Sequence, residues 1–162
     1  MTVANKPHPN ALSWLLASVV LIALDQWTKF LAVDTLAFGE SVTFIPGFWN
    51  WTLAHNTGAA FSFLANAGEW KHLFFSGLAL VISTTLAVWL ARTPRSDWRT
   101  ALPFALIIAG ALSNVVDRFR LGYVVDFVHW YLGSYDWPIF NVADSCIVVG
   151  VGLMLLTSFH KK

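Results

Sequence analysis

The sequence predicts an all-α membrane protein, a four-transmembrane-helix bundle carrying a small extracytoplasmic β-sheet and an interfacial helix. Three observations predict it. Of 162 residues, 57% are hydrophobic and only 12% are charged, about half the roughly 25% charged residues of a typical soluble domain. Four apolar stretches approach the roughly 20 residues that a helix needs to cross a bilayer. The chain also holds nine Trp, a residue that anchors at the membrane–water interface with its ring buried and its N–H wet.

The first span covers about 11–33. It is long, contains Asp25 and Lys29, and is followed by three more spans, so it reads as an uncleaved helix rather than a signal peptide. The segment after it is β-prone over 39–45, turns at Pro46-Gly47 and is β-prone again over 48–53. This is a small sheet lying on the membrane surface. The stretch Asn56-Thr57-Gly58-Ala59-Ala60-Phe61-Ser62-Phe63-Leu64 reads as a short interfacial helix.

The second span covers about 72–91, the third about 101–117 and the fourth about 139–159. Leu102 to Val116 is apolar apart from Ser113 and Asn114. With no internal repeat, linker or low-complexity tract, residues 1–162 read as a single integral-membrane domain. Lys6, the group Arg92, Arg95 and Arg99, and the pair Lys161 and Lys162 fall on one side of the spans. The positive-inside rule places them, and both termini, in the cytoplasm. Arg118 and Arg120 oppose that count, but Asp117 and Asp126 lie beside them.

Several function classes are set aside by the same reading. A net charge of +1 is too small to suggest nucleic acid. The one cysteine, Cys146, has no disulfide partner and reads as a small buried hydrophobe. The five His offer no metal-ligand spacing, so no metal is expected, and His55 reads as a residue of a wet loop.

Charge at membrane depth costs roughly 2.5–3.5 kcal/mol on insertion scales, so ionisable groups there are functional candidates. Asp126 follows the third span and Asp144 lies inside the start of the fourth. Residues three or four apart share a helix face, which aligns Asn114 with Asp117 and Arg118, and Asn141 with Asp144 and Ser145. The antiparallel third and fourth spans bring these clusters to the same membrane face as Asp126. Paired carboxylates tend to share one proton. One then acts as base toward water while the other polarises a carbonyl.

Structural alternatives fit the same residues. Asn141 and Asp144 have the spacing of a reciprocal N-cap, Asp126 can be an interfacial loop acid, and Asp117–Arg118 a surface ion pair. Asp25 and Lys29 read as a neutralising i,i+4 pair with Lys29 snorkelling outward. From the residues alone, capping and catalysis stand level.

Five motifs in order then resemble one family. They are Asp25-Gln26-Trp27-Thr28-Lys29, His55-Asn56-Thr57-Gly58-Ala59-Ala60-Phe61-Ser62, Gly110-Ala111-Leu112-Ser113-Asn114-Val115-Val116-Asp117-Arg118, Val124-Val125-Asp126-Phe127 and Phe140-Asn141-Val142-Ala143-Asp144-Ser145. Together they resemble bacterial lipoprotein signal peptidase, or signal peptidase II, over about 12–156. One departure is visible, since the family usually has Gly where Ser113 precedes Asn114.

The resemblance implies an aspartic endopeptidase of the bacterial inner membrane. It would cleave diacylglyceryl-modified prolipoproteins before the lipidated cysteine, with its site at the periplasmic face. It implies Asp126 and Asp144 as the catalytic dyad. Asn56, Gly58, Asn114, Arg118 and Asn141 would bind substrate or orient the dyad, and Asp25 and Lys29 would be structural or substrate-proximal. The dyad chemistry requires no cofactor, membrane lipid is an expected partner, and a monomer suffices if the site lies within one bundle. Two rivals remain from other classes: a proton-coupled transporter using the acids as relays, and a noncatalytic membrane scaffold.

Overall fold

A computed structural model of the protein describes residues 9–58 and 70–159. A short 3-10 turn, Ala11–Trp14, leads into α1 (Leu15–Thr35), and β1 (Ser41–Ile45) and β2 (Trp49–Asn56) follow. Then come α2 (Trp70–Arg92), α3 (Trp98–Leu121), β3 (Val124–Leu132), β4 (Tyr135–Asp136) and α4 (Val142–Phe159). Four helical stretches, the first counted from Ala11, are long and apolar enough to cross a membrane. At 1.5 Å per residue, the 24 residues of α3 span about 36 Å, more than the roughly 30 Å hydrocarbon core. The multi-pass membrane architecture of the sequence reading is therefore present, with α3 longer at both ends than 101–117. Of the interfacial helix expected over 56–64, residues 59–64 lie outside the described residues.

The bundle is built around α3. Its Ala101, Phe104 and Ile108 pack with Ala11 and Leu90 into one apolar core. By contrast α1, α2 and α4 turn large apolar side chains outward, among them Leu16, Val20, Leu73, Val81, Val148 and Leu156. In water such a surface would be a liability. Against lipid tails it is the ordinary outer face of a span.

The closest helix pair is α3 with α4. A Cβ added at Gly110 would overlap the Ala143 carbonyl and the Ile147 side chain, and one at Gly150 would come within 2.8 Å of Ile107 Cγ1. Small residues permit this approach, which supplies van der Waals packing where the hydrophobic effect is absent.

The four strands form one antiparallel sheet in the order β1-β2-β3-β4. The first hairpin falls where the sequence places it, with Pro46-Gly47 between its strands. The second outer segment also contributes, because Val124–Leu132 pairs along β2. Leu53, Val125 and Phe127 pack the sheet against Ala32 near the end of α1. Asp126 thus belongs to a buried strand and is not a loop acid. His55 is likewise no wet-loop residue: it sits in β2 and stacks on Tyr123 with ring centroids 3.8 Å apart.

Candidate active site

The site begins where the sheet hands the chain to α4. Val128 N donates to Phe140 O at 2.8 Å and Phe140 N donates back to Val128 O at 3.0 Å. This bridge pins the residue before Asn141 to β3, so Asn141 lands beside Asp126. Its Nδ2 donates to Asp126 Oδ1 at 2.6 Å and to Val125 O at 3.2 Å.

Asn141 is also the N-cap of α4. Its Oδ1 accepts Asp144 N–H at 2.9 Å, and its own N–H donates to Asp144 Oδ2 at 3.3 Å. This is a reciprocal capping box with Asn and Asp in the two roles, satisfying N–H groups that the first helical turn leaves unpaired. The capping reading of the sequence therefore holds, and the same Asn141 side chain contacts Asp126. The cap that starts the helix ties Asp144 to Asp126 through a single amide.

A second layer lies beneath. Lys29 is only 3% exposed and does not snorkel. Its Nζ meets Asp25 Oδ2 at 2.7 Å, Asp117 Oδ2 at 2.8 Å and Asn114 Oδ1 at 2.9 Å, which satisfies all three ammonium donors. Asp117 is buried and bound to Lys29, so it makes no surface pair with Arg118. Its Oδ2 also accepts Val125 N at 3.1 Å and its Oδ1 accepts Gln26 Nε2 at 2.7 Å. Asp25 Oδ1 accepts Ala143 N at 2.7 Å, and its Oδ2 accepts the Ser113 hydroxyl at 2.7 Å. The Ser that departs from the family pattern is therefore bonded into the cluster. Asn114 joins the layers, its Nδ2 donating to Asp144 Oδ1 at 2.8 Å.

The electrostatics favour a shared proton. Asp126 is 2% exposed, and its pKa is pushed up to about 7, first by burial and then by the charge of Asp144. Hydrogen bonds from Asn56 and Asn141 and the charge of Lys29 pull the other way. Asn56 also accepts Gly58 N at 2.8 Å. Gly58 takes φ +86, and a Cβ there would sit 2.9 Å from the Phe75 ring, so both backbone and space select glycine. Arg118 lies over the same ring at 5.5 Å and donates to Asn114 O at 3.4 Å.

The residues expected from the sequence thus converge: Asp126, Asp144, Asn56, Asn114, Arg118 and Asn141 around one point, Gly58 at its edge, and Asp25 with Lys29 in the layer behind. The sequence reading missed the inner roles of Gln26, Ser113 and Asp117, and Phe75 altogether. Gln26, Ser113 and Asp117 all stood inside the motifs that carry the resemblance. Phe75 gave no signal, being one apolar residue in an apolar span. Among the described residues no group of three His, Cys, Asp or Glu is arranged to hold a metal. Cys146 is buried in α4, as expected of a small hydrophobe. An apolar cleft of about 450 Å³ is lined by Ala32, Leu36, Trp51 and Phe127 rather than by Asp126 or Asp144. Successive strand residues face opposite sides, so Phe127 and Asp126 point apart.

Comparison with known proteins gives a consistent answer. The model of the peptidase family described as signal peptidase (SPase) II matches residues 17–160. A lipoprotein signal peptidase of Xylella fastidiosa (strain M12) is 57% identical over 156 residues, 96% of this chain and 93% of the relative. One of Xanthomonas oryzae pv. oryzae (strain PXO99A) is 52% identical, covering 98% and 96%. A solved bacterial membrane enzyme, determined in meso at 2.3 Å, superposes with a TM-score of 0.81 at 32% identity, covering 97% of both chains. Matched by that family model along nearly its whole length, the chain belongs to the signal peptidase II family.

Proposed function

We propose that Asp126 and Asp144 are the catalytic dyad of this membrane protease and that they hydrolyse the signal-peptide bond with an activated water. Members of the family remove lipoprotein signal peptides, and this chain does the same. The observation that carries the dyad assignment is the Asn141 side chain, which bonds Asp126 through Nδ2 and the Asp144 N–H through Oδ1. Two acids so joined, one of them protonated up to about pH 7, can hold a single proton between them.

The chemistry then balances without a covalent intermediate. The charged carboxylate takes a proton from water as the oxygen attacks the scissile carbonyl carbon. The protonated carboxyl donates to the carbonyl oxygen. As the tetrahedral species collapses and the C–N bond breaks, the carboxyl that took the water proton gives it to the departing nitrogen. The hydroxyl proton returns to the other carboxylate, restoring the singly protonated pair. The pair titrates as a unit. The scissile segment must be extended at the dyad, since helical carbonyls are engaged in their own hydrogen bonds.

The substrate is a diacylglyceryl-modified prolipoprotein, cut before the lipidated cysteine. Its acyl chains stay in the bilayer and contribute about 0.8 kcal/mol per buried CH₂. Asn56, Gly58 and Arg118 line the approach, and Asn114 and Asn141 orient the acids. The basic residues flanking the spans support a bacterial inner-membrane orientation with both termini in the cytoplasm and the dyad toward the periplasm. All of these residues come from one chain, so a monomer suffices.

The test is product analysis with the purified protein and a prolipoprotein prepared with and without the diacylglyceryl group. Mass spectrometry should find the modified substrate cut on the amino side of its cysteine, at an unchanged rate with chelator or thiol-blocking reagent. Equal cleavage of the unmodified form, or loss of activity with chelator, would contradict the reading.

A further inference from the structure

Lys29 is a buried cation to which the hydrolytic steps assign no task. It sits in α1, between Asp25 of its own helix and Asp117 of α3. Asp144 of α4, Asp126 of β3 and Arg118 of α3 lie beyond. The two carboxylates take two of the three Lys29 protons, and the third goes to Asn114 Oδ1 at 2.9 Å. That contact has a consequence one bond away. Lysine has no acceptor atom, so the Asn114 amide must present oxygen to Lys29 and therefore NH₂ to Asp144, where Nδ2 lies 2.8 Å from Oδ1.

The other contact on Asn114 Oδ1 is weaker. Asn141 Nδ2 reaches it at 3.3 Å while committed to Asp126 at 2.6 Å. The short, charge-assisted bond is the one from Lys29. Were the Asn114 amide reversed, its oxygen would face the Asp144 carboxylate and its NH₂ the ammonium, two repulsive contacts in a buried site.

We infer that Lys29 is a positioning residue for the dyad, acting through Asn114: it fixes the amide that holds Asp144 in place and supplies the positive charge behind the acid pair. The inference rests on Asp126 and Asp144 being the dyad. Its charge part is supported at Asp126, whose pKa Lys29 holds down. Removing the cation therefore lets the pair keep its shared proton to higher pH.

The test is cleavage kinetics of the full chain between about pH 5 and 9 for Lys29→Met, Asn114→Ala and the two combined. Thermal unfolding is measured on each. Lys29→Met leaves two buried carboxylates facing each other, so Lys29→Met/Asp117→Asn replaces it throughout if it shows no cooperative transition. We expect kcat to fall by about tenfold or more with KM changed by less than about threefold, and the alkaline limb of Lys29→Met to move to higher pH. Because one residue acts through the other, adding the Lys29 change to Asn114→Ala should cost less than about threefold more. A folded protein lacking Lys29 with kcat within about threefold of wild type would overturn the inference, as would multiplicative losses in the combined variant. Asp126→Asn and Asp144→Asn run alongside. Full turnover in either would sink the dyad reading itself, whatever Lys29 does.

Discussion

The Asn141 amide is committed at both ends, its oxygen to the Asp144 N–H and its nitrogen to Asp126. Neither can be exchanged for the other without placing a donor against a donor. Replacing it by Ala removes a helix cap, worth about 0.5–2 kcal/mol, and also unties the two acids. Asn141→Ala should therefore lose far more activity than stability, a contrast that thermal unfolding and turnover measured together will read. The pH dependence is set at the same scale. With the Asp126 pKa raised to about 7, activity should fall on the alkaline side from about that pH as the shared proton leaves. The stability sign runs the same way. A raised folded-state acid pKa contributes stability that is full below the unfolded value, near 3.8, and is lost as pH rises toward 7.

At the scale of elements, the junction of α3 and α4 governs the site. Gly110 lies against the Ala143 carbonyl, one residue before Asp144, so any side chain there pushes the first turn of α4 away from Asn114. Gly110→Ala should destabilise by about 1–3 kcal/mol, as overpacking does, and should lower turnover more than the thermal midpoint suggests. Asp25 tightens the same junction from α1 by accepting Ala143 N–H. Breaking its buried pair with Lys29 by Asp25→Ala should cost about 3–5 kcal/mol, measurable as loss of folded protein in detergent.

The sequence made some of these elements legible and hid others, for physical reasons. The spans were readable because lipid imposes length and composition on a helix, and the capping box because Asn141 and Asp144 are three residues apart. Strand β3 was not readable as a strand. Its register is set by β2, some 70 residues earlier in the chain, and Val124-Val125-Asp126-Phe127 lacks the alternation of a half-exposed strand because both its faces are buried. Lys29 looked like a snorkelling residue because its partner Asp117 lies across the bundle, and no local spacing predicts that contact.

For the whole molecule, the acid pair Asp126 and Asp144 sits at one end of an otherwise apolar bundle. Asp144 lies in the first turn of α4, and Asn141 caps that turn. Asn114 and Asp117 lie in the sheet-facing half of α3, and the sheet supplies Asp126, while Lys29 and, at the middle of α1, Asp25 reach up to them from deeper in the bundle. A proton-carrying transporter would place such groups near the midplane between repeated halves. The arrangement instead suits chemistry on a bond held at the membrane surface. The most direct measurement is turnover of a diacylglyceryl-modified prolipoprotein by Asp126→Asn and Asp144→Asn proteins shown to be folded and to bind substrate. The dyad account predicts that each loses about 10²–10⁴-fold in kcat while binding is retained. Turnover near the wild-type rate in either variant would contradict it.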